Sequence, residues 1–310
     1  MSLFEHKTVL TAKAETTYGT DSVPTGAANA MLVENLSVNP LEQEFDERKS
    51  IRPYFGNQQR LRAGDTVSIS FDVELAGSGA AGTAPPYAAL LRMCAMGETL
   101  VVSTSAAYNP ITSSIESGTL YFYADGVLHK ALGCRGEVGI KLSAKKIPTL
   151  SFSFKGLYSP VTDVALASPT LTAFQPPLVA NSTNTTPFSI HGYAGVLSDF
   201  SLQLGNKVTY RNLIGSESII IEDRDVTGKL TIEAVTVATK DFFALARAST
   251  LGAFTITHGT VAGNKSTIAG SAVQLANPTY STQDGIRMLN LDLIFTPTSA
   301  GNDEVTITYT

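Results

Sequence analysis

The chain has 310 residues, of which 43% are apolar and only 16% charged, with a formal net charge of −5. That is enough apolar material for one large or two ordinary domains with cores of their own. The charge balance leaves out the basic footprint that grips nucleic acid, and no apolar run nears the ~18 residues needed to cross a bilayer. Ser, Thr, Gly and Asn fill the polar deficit, a mixture suited to strands and turns.

The N-terminal MSLFEHKTVL has no long apolar core, so no signal peptide is expected. The first 30 residues, with YGTDSVPTGAA at 18–28, show little hydrophobic period and are expected to form an N-terminal arm over 1–30. A first β domain is expected over 31–158. Inside it, 41–65 is expected as a long loop, with acids Glu42, Glu44, Asp46 and Glu47 followed by Arg48, Lys49, Arg52, Arg60 and Arg62. Loops of that length are usually functional or disordered. Next, Val67, Ile69, Phe71, Val73 and Leu75 alternate with Thr66, Ser68, Ser70, Asp72 and Glu74, a strand with one buried face. Tyr87, Leu90, Leu91 and Cys94 then fall on one helical face, with Pro85 and Pro86 ahead and Gly97 as C-cap. Leu150, Phe152 and Phe154 mark another alternating strand.

Five prolines in 159–187 argue for an extended linker there. Beyond it, over 188–310, the pattern repeats. ENLSVNP (34–40) matches SDFSLQL (198–204), and the strand at 66–75 matches KLTIEAVTV (229–237). The helix YAALLRMCAMG (87–97) matches FFALARASTLG (242–252), with Asp241 as N-cap and Gly252 as stop. Leu150, Phe152 and Phe154 match Leu291, Leu293 and Phe295. The order is kept throughout while the offset falls from 164 to 141, as shorter loops in the second copy would require. The expected fold class is mainly β, two tandem copies of an antiparallel β-sandwich or half-barrel, each with one flanking α-helix, closed by the β-rich tail VTITYT at 305–310.

Catalytic chemistry finds no foothold. His6, His129, His191 and His258 are scattered and carry no metal-ligand spacing. Gly77-Ser78-Gly79-Ala80-Ala81-Gly82 satisfies a dinucleotide-loop pattern by letter. Thr83-Ala84-Pro85-Pro86 then intervenes where a helix should open, so it reads as a flexible loop. Asp223 and Asp225 alternate with Arg224, as at a charged strand end. Of the two cysteines, Cys94 and Cys134, Cys94 falls on an apolar helical face and is expected as a buried free thiol, and no cysteine-rich framework points to secretion. No catalytic, cofactor or metal residue is assigned, and the chain is read as a structural protein.

ETTYGTDSVPT at 15–25, the charged loop, the helix PPYAALLRMCAMGETL at 85–100 and GTLYFYADGVLHKALGCRGEVGIKL at 118–142 running into PTLSFSFKG together resemble the tail tube (major tail) proteins of long-tailed, siphovirus-like bacteriophages. The resemblance implies stacked rings around a central channel, joined by an N-terminal arm and a long loop. With the repeat, it implies three chains per ring with pseudo-sixfold symmetry, six chains being the alternative. Glu42, Glu44, Asp46, Glu47, Arg48, Lys49, Arg52, Arg60 and Arg62 then become candidate interface residues, and Asp72 and Glu74 candidates for the channel wall. The implied partners are further copies of the chain, tape-measure, terminator and distal tail proteins, and DNA passing without specific binding. No membrane partner is implied. The implied location is the virion tail, after assembly in the bacterial cytoplasm. Two other readings stay open. One is another ring or shell component, such as a tail terminator, a secretion tube or a decoration protein. The other is a carbohydrate-binding β-sandwich module, which the absence of tryptophan disfavours.

Overall fold

A computed structural model describes residues 3–4 and 6–310. Met1, Ser2 and Glu5, part of the arm expected over 1–30, lie outside the described residues. The chain is mainly β: the described residues form 18 strands and three short helices.

The first strand, β1 (Thr8–Ala14), lies within the stretch expected as an arm. Val9, Leu10, Thr11 and Ala12 are all buried, so both faces are covered and no alternation marks the strand. α1 (Gly26–Asn29) and β2 (Ala30–Met31) follow. Then β3 (Glu34–Asp46) and β4 (Leu61–Glu74) form one long hairpin. The expected loop over 41–65 therefore shrinks to 47–60. Its flanks show no apolar period, and their Leu41, Phe45 and Leu61 are exposed, yet their backbones pair, from Glu42 opposite Thr66 to Asp46 opposite Leu61. After α2 (Ala88–Met93) come β5 (Met96–Val101), β6 (Ser105–Pro110), β7 (Gly118–Ala124), β8 (Val127–Ser143) and β9 (Thr149–Asp163). β9 takes the first residues of the expected linker. Pro160 is tolerated there because it falls at a register shift between the pairs Ser159–Lys130 and Thr162–Leu128.

Residues 164–184 run without strands to β10 (Thr185–Ile190) and β11 (Leu197–Gln203). A separate hairpin of β12 (Asn206–Leu213) and β13 (Ser216–Arg224) precedes β14 (Thr227–Glu233) and α3 (Phe242–Arg247). β15 (Leu251–His258), β16 (Ser266–Gln283), β17 (Ile286–Phe295) and β18 (Thr306–Tyr309) complete the chain. The Asp241 side chain caps α3, accepting from the Ala244 N–H at 2.8 Å. The expected glycine stops are not used. Both helices are shorter and leave through non-glycine residues of positive φ, Ala95 at 60° and Ser249 at 49°, while Gly97 and Gly252 lie in the strands beyond.

Hydrogen-bonded neighbours run β1-β7-β8-β9-β4-β3 in the first half and β10-β15-β16-β17-β14-β11 in the second. Every pair is antiparallel, and a helix follows the fifth strand named in each series. β8 also pairs β11, so the two series join edge to edge. A second bridge runs from β16 through β18 to β6. One continuous apolar core extends from Leu10 to Tyr309 through both halves. The Gly77–Gly82 loop is pinned rather than free. Gly77 donates to Asn264 Oδ1 at 2.7 Å and Gly79 to the Gly263 carbonyl at 2.9 Å. A Cβ on Gly77 would stand 2.1 Å from the Gly263 carbonyl oxygen, a contact only glycine avoids.

Candidate assembly interface

The joins and the free edges of the sheet are its most informative places. β8 uses both edges. Along one it pairs β9; along the other it pairs β7 with its first half and β11 with its last residues. In that joint Gly139, Ile140, Lys141, Leu142 and Ser143 face Gln203, Leu202, Ser201, Phe200 and Asp199. Ile140, Leu142, Phe200 and Leu202 are buried on one face, so the join is sealed by apolar packing as well as the ladder.

Following the ladder outward gives a run of eight strands, β3-β4-β9-β8-β11-β14-β17-β16. Among the described residues each end carries an open edge. β3 bonds to β4 alone, and over Thr279–Gln283 β16 bonds to β17 alone. Leu36 and Val38 on β3 are half-buried, whereas Phe200 and Leu202, at the same places on β11, are covered. At the other end Tyr280 is 53% exposed and its ring lies 5.7 Å from that of Phe243 on α3. The two helices differ in the same sense. Leu90, Leu91 and Met93 of α2 and the Cys94 that follows it are fully buried, and the Asn206 side chain donates to the Cys94 carbonyl at 2.7 Å. In α3 only Phe242 is buried, and Phe243 with the following Leu251 is open to solvent.

The hairpin tip over 47–60 stands clear of the body. Ile51 and Phe55 are fully exposed and Tyr54 largely so. Of the candidate interface charges, the structure joins Glu47 to Arg60 at 2.9 Å across the tip. Glu42 lies 3.6 Å from Lys155, and Arg62 pairs at 2.9 Å with the buried Asp65. The Arg52 guanidinium lies over Tyr54 at 5.9 Å. Glu44, Asp46, Arg48 and Lys49 are exposed without an ion-pair partner among the described residues. The counterpart stretch between β11 and β14 behaves otherwise. Its hairpin β12–β13 lies back on the first half, where Ile219 N–H donates to Tyr18, Arg135 donates to the Ile219 carbonyl at 2.9 Å and Asn212 to the Ala63 carbonyl at 2.9 Å. The sequence offered no sign of this docking, because its anchors Tyr18 and Arg135 lie far from 206–224 in the chain.

Asp72 and Glu74 lie on the face of the eight-strand run opposite the apolar core. Glu137, Asp199, Glu233 and Asp292 share that face with Lys141, Lys155 and Lys229, among hydroxyl and amide side chains. Burial alone would raise the Asp72 carboxyl. The neighbouring Ser151 hydroxyl, Asn35, donating at 2.9 Å, and the Lys141 charge outweigh it and hold Asp72 below its usual value. Burial and then the charge of Glu34 push Glu74 up. Glu34, opposite Asp72, Glu42, beside Lys155, and Arg135, opposite Lys155, lie on it too, so acids outnumber basic residues and leave the face net negative.

Among the described residues no group of three His, Cys, Asp or Glu comes together to hold a metal ion, and no helix is long and apolar enough to cross a membrane. Both cysteines are buried free thiols. His258 is buried, with Nδ1 2.9 Å from the Thr185 hydroxyl and Nε2 3.1 Å from the Leu178 carbonyl. His191 reaches the Val273 carbonyl at 2.7 Å, and His129 stacks on Phe122.

A family model described as phage tail tube protein matches residues 5–310. No curated protein matches the chain. With nearly its whole length covered, the chain belongs to the phage tail tube protein family, a family of structural tail components.

Proposed function

We propose that this tail tube protein closes with two further copies of itself into a ring whose two tandem halves occupy six pseudo-equivalent positions, and that such rings stack into a tube. The observation that carries this reading is the eight-strand run, built from two halves of one strand order and open at both ends. Exposed strand edges are a hazard in a monomer and become joints in a closed assembly. Three chains of eight strands each close 24 strands. At about 4.8 Å between strands the circumference is about 115 Å. Barrels of about 16–18 strands already leave an aqueous channel, so this one is wider still.

The net negative polar face, with Asp72 and Glu74, then lines the channel. DNA passes there without specific binding, because fixed acids repel phosphate and few lysines neutralise it. The exposed tip over 47–60 reaches the next ring, its apolar Ile51 and Phe55 seated there and its charges matched by the neighbour's. Tape-measure, terminator and distal tail proteins are the other partners, in a virion tail assembled in the host cytoplasm.

Electron microscopy across a concentration series, paired with solution mass measurement, tests the reading. Discs of three 32.7 kDa chains around a hole, with sixfold-looking density, are expected. Discs of six chains would overturn the three-chain ring, and a monomer at every concentration would overturn ring closure.

A further inference from the structure

The joint inside the chain is a template for the joint between chains. Resting on the ring reading above, we infer that Thr279–Gln283 of β16 pairs antiparallel with Asn35–Asn39 of a second copy, in the register of the β8–β11 joint.

The correspondence comes from shared partners. On β8, Gly139, Ile140 and Lys141 face Ser151, Leu150 and Thr149 of β9. On β16, Thr279, Tyr280 and Ser281 face Asn290, Leu289 and Met288 of β17. β9 and β17 are placed alike in turn, since Leu150 faces Val73 of β4 and Leu289 faces Ile232 of β14. On the other side, Ser37 and Val38 face Ser70 and Ile69, as Ser201 and Leu202 face Lys229 and Gly228. Within the chain Ile140 meets Leu202 and Lys141 meets Ser201. Between chains, therefore, Tyr280 meets Val38 and Ser281 meets Ser37.

The side chains fit this register. Successive residues alternate in face, so Ser281 and Ser37 join the polar face while Tyr280 and Val38 meet on the apolar one. The half-covered Leu36 and Val38 receive the exposed Tyr280, which Phe243 supports from α3. Each free edge thus carries the apolar cover that the other lacks. Antiparallel sense also holds, because the eight strands alternate and the ninth position falls to β3.

Cysteine cross-linking tests the register. Facing residues on antiparallel strands have Cα atoms about 4.5–5.5 Å apart, within disulfide reach. The native cysteines are buried and do not compete. Assembled Ser37→Cys/Ser281→Cys protein, mildly oxidised, should give covalent trimers on non-reducing gels. Ser37→Cys/Thr279→Cys, shifted by two residues, should link at least tenfold less. Rings that link better through the shifted pair would overturn the register while leaving ring closure intact. No rings from the wild-type chain would overturn both. As a second measurement, Tyr280→Asp should abolish rings while lowering the monomer's melting temperature by no more than about 4 °C, since in the single chain its ring is half-exposed and touches only Phe243 and Arg287 on either side. Persistence of its rings would overturn the joint.

Discussion

The hydroxyl of Tyr87 lies 3.0 Å from that of Tyr309, tying the entry of α2 to the last strand of the chain. Both rings are buried and meet edge to face at 6.1 Å. Tyr87 donates to the Ala76 carbonyl at 2.7 Å, which leaves the Tyr309 proton for the bond between the rings. Burial drives both phenols well above their ordinary range, so neither ionises in the folded protein. Tyr309→Phe keeps the packing and leaves Tyr87 short of one partner. It should cost about 1 kcal/mol, a fall of about 2 °C in melting temperature for a chain of this size. Tyr309→Ala adds a cavity and should cost about 3–5 kcal/mol. Thermal unfolding followed by circular dichroism separates the two. Equal shifts would show that the hydroxyl, not the ring, holds the strand.

Arg224 holds the β12–β13 hairpin to the C-terminal segment. Its guanidinium donates to Glu304 at 2.6 and 2.8 Å and to the Ile111 carbonyl at 3.1 Å, with both partners only 9% exposed. Removing one member of a buried pair strands the other's charge. Arg224→Ala should therefore cost about 3–5 kcal/mol, whereas Arg224→Met with Glu304→Leu should recover most of it. A denaturant midpoint for each variant checks this. A loss under 1 kcal/mol for Arg224→Ala would mean that water replaces the guanidinium.

Acid should loosen the N-terminal segment. Asp21 accepts from the Tyr121 hydroxyl at 2.6 Å, from Lys130 at 3.0 Å and from the Val23 N–H at 2.9 Å. Burial would raise its carboxyl, but these partners outweigh burial and depress it below the unfolded value of 3.8. A carboxyl depressed on folding stabilises the fold above its unfolded pKa, and that stability is lost as pH falls through the folded one. Stability measured from pH 6 to pH 2 should fall below about pH 4, and Asp21→Asn should flatten that part of the curve. An unchanged slope in Asp21→Asn would remove Asp21 from the account.

The parts legible in the sequence share one property, a single buried face. Val67, Ile69, Phe71 and Val73 alternate within β4, and Leu289, Leu291 and Leu293 do the same in β17. Strands without that contrast stayed hidden: Val9–Ala12 are covered on both sides, and Glu42–Asp46, Phe45 included, are buried on neither. Period also fixes a face without fixing a register. The sequence match sets Leu150 beside Leu291, whereas the ladder sets it beside Leu289. The difference is two residues, which leaves every side chain on the same face. The interface charges could be named from sequence because they cluster. Their partners, Lys155 for Glu42 and Asp65 for Arg62, depend on strand register and could not.

The hairpin tip should matter for stacking and not for folding. Because β3 and β4 pair as far as Asp46 and Leu61, the clean deletion is 47–60 closed by a two-residue turn, not the wider 41–65. Its exposed Ile51, Tyr54 and Phe55 touch little of the body, so the melting temperature should move by less than about 2 °C. Rings should still form in micrographs, and long tubes should disappear. Tubes of normal length from the deleted chain would remove the tip from the ring-to-ring contact.

Charge on the polar face should govern the passage of DNA. Asp72 and Glu74 are among the acids there, and reversing both to Lys removes two negative charges and adds two positive ones, which cancels most of the face's acidic excess. Both side chains lie on the face away from the apolar core, so the variant should fold and assemble. Each lysine that reaches a phosphate releases counterions and favours a bound state over a sliding one. Tubes carrying Asp72→Lys and Glu74→Lys should look normal in micrographs yet release DNA more slowly, with the delay shrinking as salt is raised. Release at the wild-type rate from intact tubes would place these residues away from the channel wall, and with them the face of the sheet that turns inward.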